Sequence, residues 1–219
     1  FLNLIIKMKN NNYQQKVWEN DFGKKYTLRS TSYSNWVKVY KERFNLTKEQ
    51  INSNFLKKIP KSSKILEVGC NIGNQLKCLY KMGYKNLYGV DVQKRCIIEI
   101  KNKKKFIKSF VASAYNLPFD DNYFDLVFTS NVLIHIPPKK LNSAVDEIIR
   151  TSSKWIWGFE YYSKKYKKVI YRNHDNLLWK GDFSKFFTKK KNLKIIKEKL
   201  FRSLLVKKEI DKMYLIKKI

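Results

Sequence analysis

The feature that most constrains the fold is a glycine-bearing loop at residues 67–74, with the sequence E-V-G-C-N-I-G-N. It joins an apolar run at residues 64–68, typical of a buried β-strand, to a stretch of helical spacing at residues 73–82. Glycines at such a junction permit a sharp turn and let a ligand lie against the backbone. Asn71 stands where a dinucleotide-binding loop needs its second glycine, and the Gly-Lys ending of a phosphate-binding loop is missing. The loop therefore favours a nucleoside ligand that needs no phosphate cradle.

Beyond this loop, short apolar runs alternate with stretches of helical spacing. The runs lie at residues 86–90, 106–112, 124–129 and 154–159, and the helical stretches at residues 93–104 and 141–151. This alternation predicts an α/β, Rossmann-like fold, a mostly parallel sheet with helices on both faces. Residues 193–196 and 213–216 are predicted to close the sheet as antiparallel strands. Ligands of such sheets bind at the carboxyl ends of the strands.

The 219 residues fit one compact domain. Within it, we expect residues 1–58 to form an N-terminal helical lid and residues 59–219 to form the ligand-binding core. Thr47 and Gln50 have the spacing of a helix capping box. The apolar opening at residues 1–6 is too short to cross a bilayer, and no other segment is long and apolar enough.

The cysteines predict neither a metal site nor a disulfide framework. Cys70, Cys78 and Cys96 form no C-x-x-C pair and have no histidine-rich neighbourhood, so no zinc site is expected. An odd number of cysteines without a secretory signal favours a reducing, cytoplasmic setting.

The net charge of +29 has two explanations. Lysines neutralise phosphates, which would suit a nucleic acid or another polyanion. Lysine far outnumbers arginine, however, and lysines are spread along the whole chain, as a biased genome composition would produce. Arginine is the residue that proteins favour for bidentate recognition of phosphates and bases.

Asp91 ends the strand that follows the loop, about 20 residues after it, where a carboxylate can accept the hydroxyls of a bound ribose. The motif E-x-G-x-x-x-G is followed by G-V-D at residues 89–91, N-L-P-F at 116–119 and F-D-L-V-F at 124–128. In this order the motifs resemble those of class I S-adenosylmethionine-dependent methyltransferases, over residues 64–150. The resemblance implies S-adenosylmethionine as cofactor and S-adenosylhomocysteine as its product.

The resemblance also implies a set of cofactor contacts. Glu67 and the glycine loop would hold the methionine end, Asp91 the ribose and Val92 the adenine. Many relatives carry aspartate in the third motif, where this chain has Ser113, whose hydroxyl can still accept a hydrogen bond. The predicted cofactor residues are Tyr26, Arg29, Glu67, Gly69, Cys70, Asn71, Gly73, Asn74, Asp91, Val92, Ser113, Ala114, Ser130, Asn131 and Val132.

The segment T-S-N-V-L-I-H-I-P-P at residues 129–138 bears on the methyl acceptor. It lacks the N-P-P-Y type of motif found in enzymes that methylate bases or glutamine, and it resembles small-molecule methyltransferases. His135 is the predicted general base, because its ordinary pKa lies near neutrality; it could instead only cap or pack the next helix. Glu160, at the end of an apolar strand, is the second catalytic candidate. The predicted acceptor contacts, aromatic rings and cationic groups suited to an acidic sugar, are Tyr161, Tyr162, Arg172, His174 and Trp179.

A narrower resemblance extends over residues 18–187. The pieces that carry it are F-G-x-x-Y-T-x-R at residues 22–29, L-I-H-I-P-P at 133–138, E-Y-Y at 160–162, Y-R at 171–172 and W-K-x-D-F at 179–183. They resemble the methyltransferases associated with pseudaminic acid biosynthesis, although this chain has Ser30 where that group usually has asparagine. The resemblance implies that the acceptor is a nonulosonic-acid-type sugar or its precursor. It also implies that Tyr26 and Arg29 form a lid, with Arg29 near the cofactor carboxylate.

Three functions remain open from the sequence. The first is methylation of an amino or hydroxyl group of a small polar metabolite such as an acidic sugar. The second is methylation of RNA bound through the lysine-rich surface. The third is a partner protein that binds S-adenosylmethionine without catalysis. The oligomeric state is not predicted.

Overall fold

The structure is a computed structural model that describes residues 13–29 and 32–219. The apolar opening at residues 1–6 and Ser30 lie outside the described residues. In the described part, the helices before the first strand are α1 (Tyr13–Glu19), α2 (Asp21–Arg29), α3 (Tyr33–Phe44) and α4 (Lys48–Leu56). The predicted capping box is confirmed: the Gln50 backbone N–H donates to Thr47 Oγ1 at 3.2 Å, and the Thr47 N–H donates to Gln50 Oε1 at 2.8 Å.

A seven-stranded sheet and a separate hairpin account for the strands of the described chain. The strands are β1 (Lys64–Val68), β2 (Asn86–Asp91), β3 (Ile107–Val111), β4 (Phe124–Ser130), β5 (Ser152–Tyr161), β6 (Lys167–Tyr171), β7 (His174–Lys180), β8 (Leu193–Arg202) and β9 (Ile210–Lys218). The sheet order is β3-β2-β1-β4-β5-β9-β8. The first five strands in this order pair in parallel, whereas β9 is antiparallel to both β5 and β8. The predicted α/β fold, with a parallel sheet closed by antiparallel strands, is therefore confirmed.

Both faces of the sheet are covered by helices. The helices after β1 are α5 (Asn74–Lys81), α6 (Lys94–Lys103), α7 (Pro138–Thr151) and α8 (Ser184–Thr188), with a 3₁₀ turn at Leu133–His135. On β1, the side chain of Ile65 belongs to the apolar cluster that includes α3, α4, α5 and α6. The next residue, Leu66, belongs to the cluster on the other face, which includes α7 and α8. Because successive strand residues point to opposite faces, an almost continuously apolar strand is buried on both sides.

Between β5 and β8 the chain forms two strands, β6 and β7, that were not predicted from the sequence. Residues of β6 and β7 form a two-stranded antiparallel hairpin that stands apart from the main sheet. Its turn is made by Arg172 and Asn173, with φ of 51° and 64°. Two consecutive residues with positive φ are typical of the tight hairpin turns that match the twist of β-strands.

Within the described residues, no helix is long and apolar enough to span a membrane. The same part of the chain contains no group of three or more histidine, cysteine, aspartate or glutamate side chains placed to hold a metal ion.

Candidate functional site

The loop after β1 has the geometry that its glycines suggested. Gly69, Asn71 and Gly73 have φ of 75°, 47° and 73°. A Cβ added at Gly69 would lie 2.5 Å from Val132 Cγ2, so the backbone there approaches the segment after β4 too closely for any side chain. Asparagine adopts the left-handed conformation more readily than most residues, which explains how Asn71 takes the place of a glycine.

Asp91 joins this loop to the segment after β2. Its Oδ2 accepts a hydrogen bond from the Asn71 N–H at 2.8 Å, and its Oδ1 accepts one from the Gln93 N–H at 2.9 Å. Burial raises the pKa of Asp91, and the hydrogen bonds from these backbone groups oppose the rise. Each carboxylate oxygen keeps a further lone pair, so the side chain is oriented and still able to accept from a ligand hydroxyl.

A cavity of about 370 Å³ opens at the carboxyl ends of the strands. Every predicted cofactor residue except Gly73 lines it. A Cβ at Gly73 would lie 3.0 Å from Ile107 Cδ1. The glycine therefore packs beneath the loop, and the structure gives it a role in the turn rather than in the cavity wall.

The floor of the cavity carries buried acceptor atoms that lack partners. Within the described residues, Glu67 Oε2, Gln75 Oε1 and Asn131 Oδ1 have no hydrogen-bond partner. Such atoms are costly unless a ligand satisfies them. Since all three can accept, they fit a ligand that brings a donor, above all an ammonium group. The residues present therefore suit the amino-acid end of the cofactor that the sequence predicts.

Glu67 has a buried cation in its surroundings that the sequence did not reveal. Burial raises the pKa of Glu67 well above its ordinary value, and the charge of Lys48 opposes that rise. Lys48 Nζ is fully buried, 4.1 Å from the ring centre of Tyr40 and 4.0 Å from that of Phe159. Burial lowers the pKa of Lys48 to about 7. The charge of this lysine favours an ionised Glu67 next to the ligand.

Helices α1 and α2 close one side of the cavity. Trp18 lies against Phe22, Tyr26 and the ring of His135, with centroid distances of 5.1, 5.2 and 4.5 Å. Burial raises the pKa of Tyr26 to about 12, so its phenol stays protonated. The Arg29 guanidinium lies 5.9 Å from the Tyr26 ring centre. The predicted lid residues thus share one wall, held down by aromatic contacts.

The adenine end of the predicted site involves a contact between the lid and the core. The Ser113 hydroxyl donates to Gln15 Oε1 at 3.0 Å, which ties α1 to the segment after β3. The Tyr115 N–H donates to the same hydroxyl oxygen at 3.3 Å. The hydroxyl proton of Ser113 is therefore already used within the protein.

His135 lies in the cavity wall with a defined tautomer. Its Nδ1 is 2.6 Å from the Leu177 carbonyl oxygen. A carbonyl oxygen only accepts, so Nδ1 carries the proton and Nε2 keeps its lone pair. Burial lowers the pKa of His135 to about 4, which leaves the imidazole neutral at pH 7. The ring is able to accept a proton through Nε2.

Glu160 lies next to the site but does not line the cavity. Its Oε1 accepts hydrogen bonds from the Val132 and Leu133 N–H groups at 3.2 and 3.3 Å. Burial raises its pKa to about 7. This placement holds the segment after β4 in position and argues against direct contact with reacting atoms.

The predicted acceptor residues also divide into those that line the cavity and those that do not. Tyr161 lines the cavity, whereas Tyr162, Arg172, His174 and Trp179 do not. Arg172, His174 and Trp179 belong to the β6–β7 hairpin, which contacts Phe22 of α2 and, through Tyr171, the ring of His135. The His174 ring lies 5.1 Å from that of Phe22, and Arg172 stacks on the neighbouring tyrosine ring. Trp179 is buried in the core.

Helix α3 supplies five cavity residues that were not predicted from the sequence. They lie on one helical face and are Asn35, Trp36, Val39, Tyr40 and Arg43. The helical spacing of Trp36 and Tyr40 is visible in the sequence, but it does not distinguish a cavity wall from a packing face. Arg43 Nη2 donates to Asp211 Oδ2 at 2.7 Å and to Glu209 Oε2 at 3.0 Å.

Comparison with known proteins gives a family match and a partial similarity to a protein of Haemophilus influenzae. Residues 66–154 match the protein family described as "Methyltransferase domain". An uncharacterized protein of Haemophilus influenzae is 31% identical over 93 residues, which are 40% of this chain and 37% of that protein. The chain thus matches little more than a third of the length of this relative.

Two solved structures illustrate the likeness in fold. A S-adenosylmethionine-dependent methyltransferase from Methanosarcina mazei has a TM-score of 0.62 at 15% identity, over 77% of this chain and 97% of that one. The 1,6-didemethyltoxoflavin-N1-methyltransferase of Burkholderia thailandensis, solved with 1,6-didemethyltoxoflavin and S-adenosylhomocysteine, has a TM-score of 0.65 at 11% identity. That match covers 90% of this chain and 89% of the other. At these identities the likeness is one of fold.

Proposed function

We propose that this chain, which carries a class I S-adenosylmethionine-dependent methyltransferase domain, methylates an amino or hydroxyl group of a small acidic acceptor. A nonulosonic-acid-type sugar or its precursor is the acceptor class that we favour. The family match over residues 66–154 supports the methyl donor. The observation that carries the acceptor class is the Arg43 guanidinium in the cavity wall.

Specific residues would hold S-adenosylmethionine. Asp91 would accept from the ribose hydroxyls, and Val92 would flank the adenine. Glu67 and Asn131 would accept from the ammonium group, and Arg29 would meet the carboxylate. When bound, the cofactor supplies a methyl group activated by the sulfonium, so the protein has mainly to align the acceptor and to remove one proton.

Arg43 has the chemistry to recognise an acceptor carboxylate. Within the described chain, its hydrogen bonds come from Nη2, which leaves Nε and Nη1 as unused donors. Its two carboxylate partners, Glu209 and Asp211, fix the orientation of the guanidinium. Nε–H and the Nη1 hydrogens lie on different edges of the guanidinium, so an acceptor carboxylate would take one charge-assisted hydrogen bond from either group.

Aromatic rings and a small volume favour a compact acceptor. Trp36, Tyr40 and Tyr161 line the cavity beside Arg43, and aromatic rings of this kind can stack on the apolar face of a sugar. A cavity of about 370 Å³ is at the small end of the range for small-molecule sites.

His135 would act as the general base. As the acceptor oxygen or neutral amine nitrogen attacks the methyl group it becomes more acidic, and its proton would pass to Nε2 while Nδ1–H stays bonded to the Leu177 carbonyl oxygen. The imidazole is neutral at pH 7 and able to accept this proton, but its pKa of about 4 makes it a weak base that acts during methyl transfer and not before it.

Methylation of RNA is the second candidate, favoured by the net charge of +29. The closed wall formed by α1 and α2 argues against entry of a nucleotide that is still part of a strand. A partner protein without catalysis is disfavoured by a cavity that contains an available imidazole nitrogen.

Transfer of a labelled methyl group tests the proposal. The acceptors would be N-acetylneuraminic acid, its methyl ester and a short RNA. We expect transfer to the acid, and we expect Arg43→Gln to lower kcat/KM for the acid by roughly tenfold or more while sparing the ester. Arg43→Lys, which keeps the charge but loses the planar fork, should fall between the two. Transfer to RNA alone, or an equal loss for acid and ester, would refute the assignment.

A further inference from the structure

The turn between β8 and β9 exposes consecutive apolar side chains. Leu204, Leu205 and Val206 have relative exposures of 68%, 60% and 50%. Single exposed leucines are common, but three consecutive apolar residues in water are unfavourable unless they serve a function. This turn is therefore a candidate contact surface.

Hydrogen bonds hold the turn in this conformation. The Ser203 N–H donates to the Glu209 carbonyl oxygen at 2.9 Å, and the Glu209 N–H donates to the Val206 carbonyl oxygen at 2.9 Å. The Val206 N–H donates to Ser203 Oγ at 3.2 Å. A further bond runs from the Leu204 N–H to the Arg43 carbonyl oxygen at 2.8 Å. These bonds hold the turn in a defined conformation while the apolar side chains are exposed, so their exposure belongs to the folded turn.

Basic side chains surround the apolar ones. Arg202 precedes the turn, and Lys207 and Lys208 follow its apolar residues; all three are exposed. The chain as a whole carries a net charge of +29. Apolar side chains flanked by lysine and arginine suit an anionic lipid surface, where the apolar groups enter the boundary of the acyl chains and the cations meet the headgroups. Three side chains are too few for a stable protein interface, which buries about 800 Å² on each partner.

The turn lies at the same edge of the sheet as the cavity. Strand β9 pairs with β5 so that Asp211 lies opposite Tyr161, at the carboxyl end of β5. Tyr161 lines the cavity, and Arg43, which also lines it, is bonded to Leu204 through its backbone. A surface that receives the turn would therefore lie close to the acceptor end of the cavity.

We propose that the turn at residues 203–209 is a lipid-binding tip that attaches the protein to anionic membranes, beside the acceptor end of its cavity. Binding is peripheral and reversible, with Leu204, Leu205 and Val206 entering the lipid boundary. It does not depend on the identity of the methyl acceptor.

Sedimentation with lipid vesicles tests this proposal on the full chain. The vesicles would consist of phosphatidylcholine, with or without phosphatidylglycerol. We expect the parent to bind the anionic vesicles and not the neutral ones. The double variant Leu204→Ser/Leu205→Ser should lower the partition coefficient roughly tenfold or more, because each leucine loses its apolar transfer into lipid.

Two further variants distinguish binding through the turn from general electrostatic attraction of the protein to anionic lipid. Ile98→Ser removes an apolar residue of 48% exposure from α6, a helix that contacts β2 and β3 at the opposite end of the strand order, and should leave binding unchanged. Lys207→Gln/Lys208→Gln should weaken binding to anionic vesicles, because it removes two cations that meet the headgroups. The leucines are exposed, so folding should survive, and thermal unfolding would verify it. Equal binding by the leucine variant and the parent, or no binding of the parent to anionic vesicles, would overturn the proposal.

Discussion

Among single residues, His135 combines a fixed tautomer with a lowered pKa. Nδ1–H is bonded to a carbonyl oxygen, and burial lowers the pKa to about 4 from an ordinary 6.5. A base must be unprotonated to act, so His135 stays competent at all pH values above about 4. We predict that kcat holds as the pH falls through the range in which an ordinary histidine is protonated, and that the contribution of His135 declines only near pH 4.

The pH profile of His135→Gln provides the comparison. This variant should lose most of kcat, leave the cofactor Kd unchanged, and lack the acid limb that the parent shows. The same shift affects stability: the unfolded chain takes up the proton first, so the contribution of His135 to the free energy of unfolding is lost as the pH falls from 6.5 toward about 4. An activity loss in the parent centred near pH 6.5, absent from the variant, would contradict the assigned environment.

Asn71 marks what one sequence position can and cannot predict. Its presence excluded a dinucleotide fingerprint, which agrees with the family match of the chain. Its φ of 47° and its hydrogen bond to Asp91 could not be deduced from residue type, because asparagine is common in ordinary turns as well.

At the scale of elements, the loop after β1 depends on the close approach of its backbone to the segment after β4. Gly69→Ala places a methyl group 2.5 Å from Val132 Cγ2, at a φ of 75°. We predict a loss of about 1–3 kcal/mol in the free energy of unfolding and a weaker affinity for S-adenosylhomocysteine. Chemical denaturation and calorimetry would measure the two effects.

The double variant Gly69→Ala/Val132→Ala separates the two causes of this loss. It relieves the clash but keeps the strained φ, so it should recover part of the lost stability relative to Gly69→Ala. No recovery would show that contact with Val132 is not the source of the constraint.

The segment after β4 depends in turn on Glu160, whose Oε1 accepts from two backbone N–H groups. We predict that Glu160→Gln, which keeps an acceptor oxygen, retains cofactor affinity and most activity. Glu160→Ala should lower cofactor affinity several-fold, because the Val132 and Leu133 N–H groups lose their acceptor. Equilibrium binding of S-adenosylhomocysteine to both variants provides the measurement. Complete loss of activity in Glu160→Gln with normal binding would restore the catalytic role first predicted for this residue.

The elements predicted best are strands with clear apolar runs. The predicted strand at residues 64–68 coincides with β1, and the two predicted antiparallel strands lie inside the longer β8 and β9. The β6–β7 hairpin was missed, because its turn uses Arg172 and Asn173 rather than a glycine pair. Without the hairpin, the sequence could not show that the acceptor residues predicted there lie outside the cavity.

At the scale of the whole molecule, the cofactor half of the cavity could be predicted and the acceptor half could not. The cofactor residues follow the ends of parallel strands, whose positions along the chain fix their positions in space. In the proposed function, the acceptor half is formed by α3, whose residues line the cavity at the carboxyl edge of the sheet. Its polar and aromatic face, with Trp36 and Arg43, becomes a cavity wall only through that tertiary contact.

The net charge of +29 can be interpreted only from the positions of the charged residues in the folded molecule. Arg43 is paired with the buried Asp211 and the partly buried Glu209, whereas the basic residues flanking Leu204 and Val206 are exposed to solvent. The excess positive charge thus lies on the outer surface more than in the cavity. A sequence count could not distinguish these two locations.

The most direct test of the central claim is calorimetric binding of S-adenosylmethionine and S-adenosylhomocysteine to the parent and to Asp91→Ala. Asp146→Ala, which removes an exposed aspartate on α7, is the matched control. We predict micromolar binding by the parent and by the control, and a Kd weaker by roughly tenfold or more in Asp91→Ala, because the ribose hydroxyls lose a charged acceptor. Absence of binding by the folded parent, or equal binding by Asp91→Ala, would contradict the account.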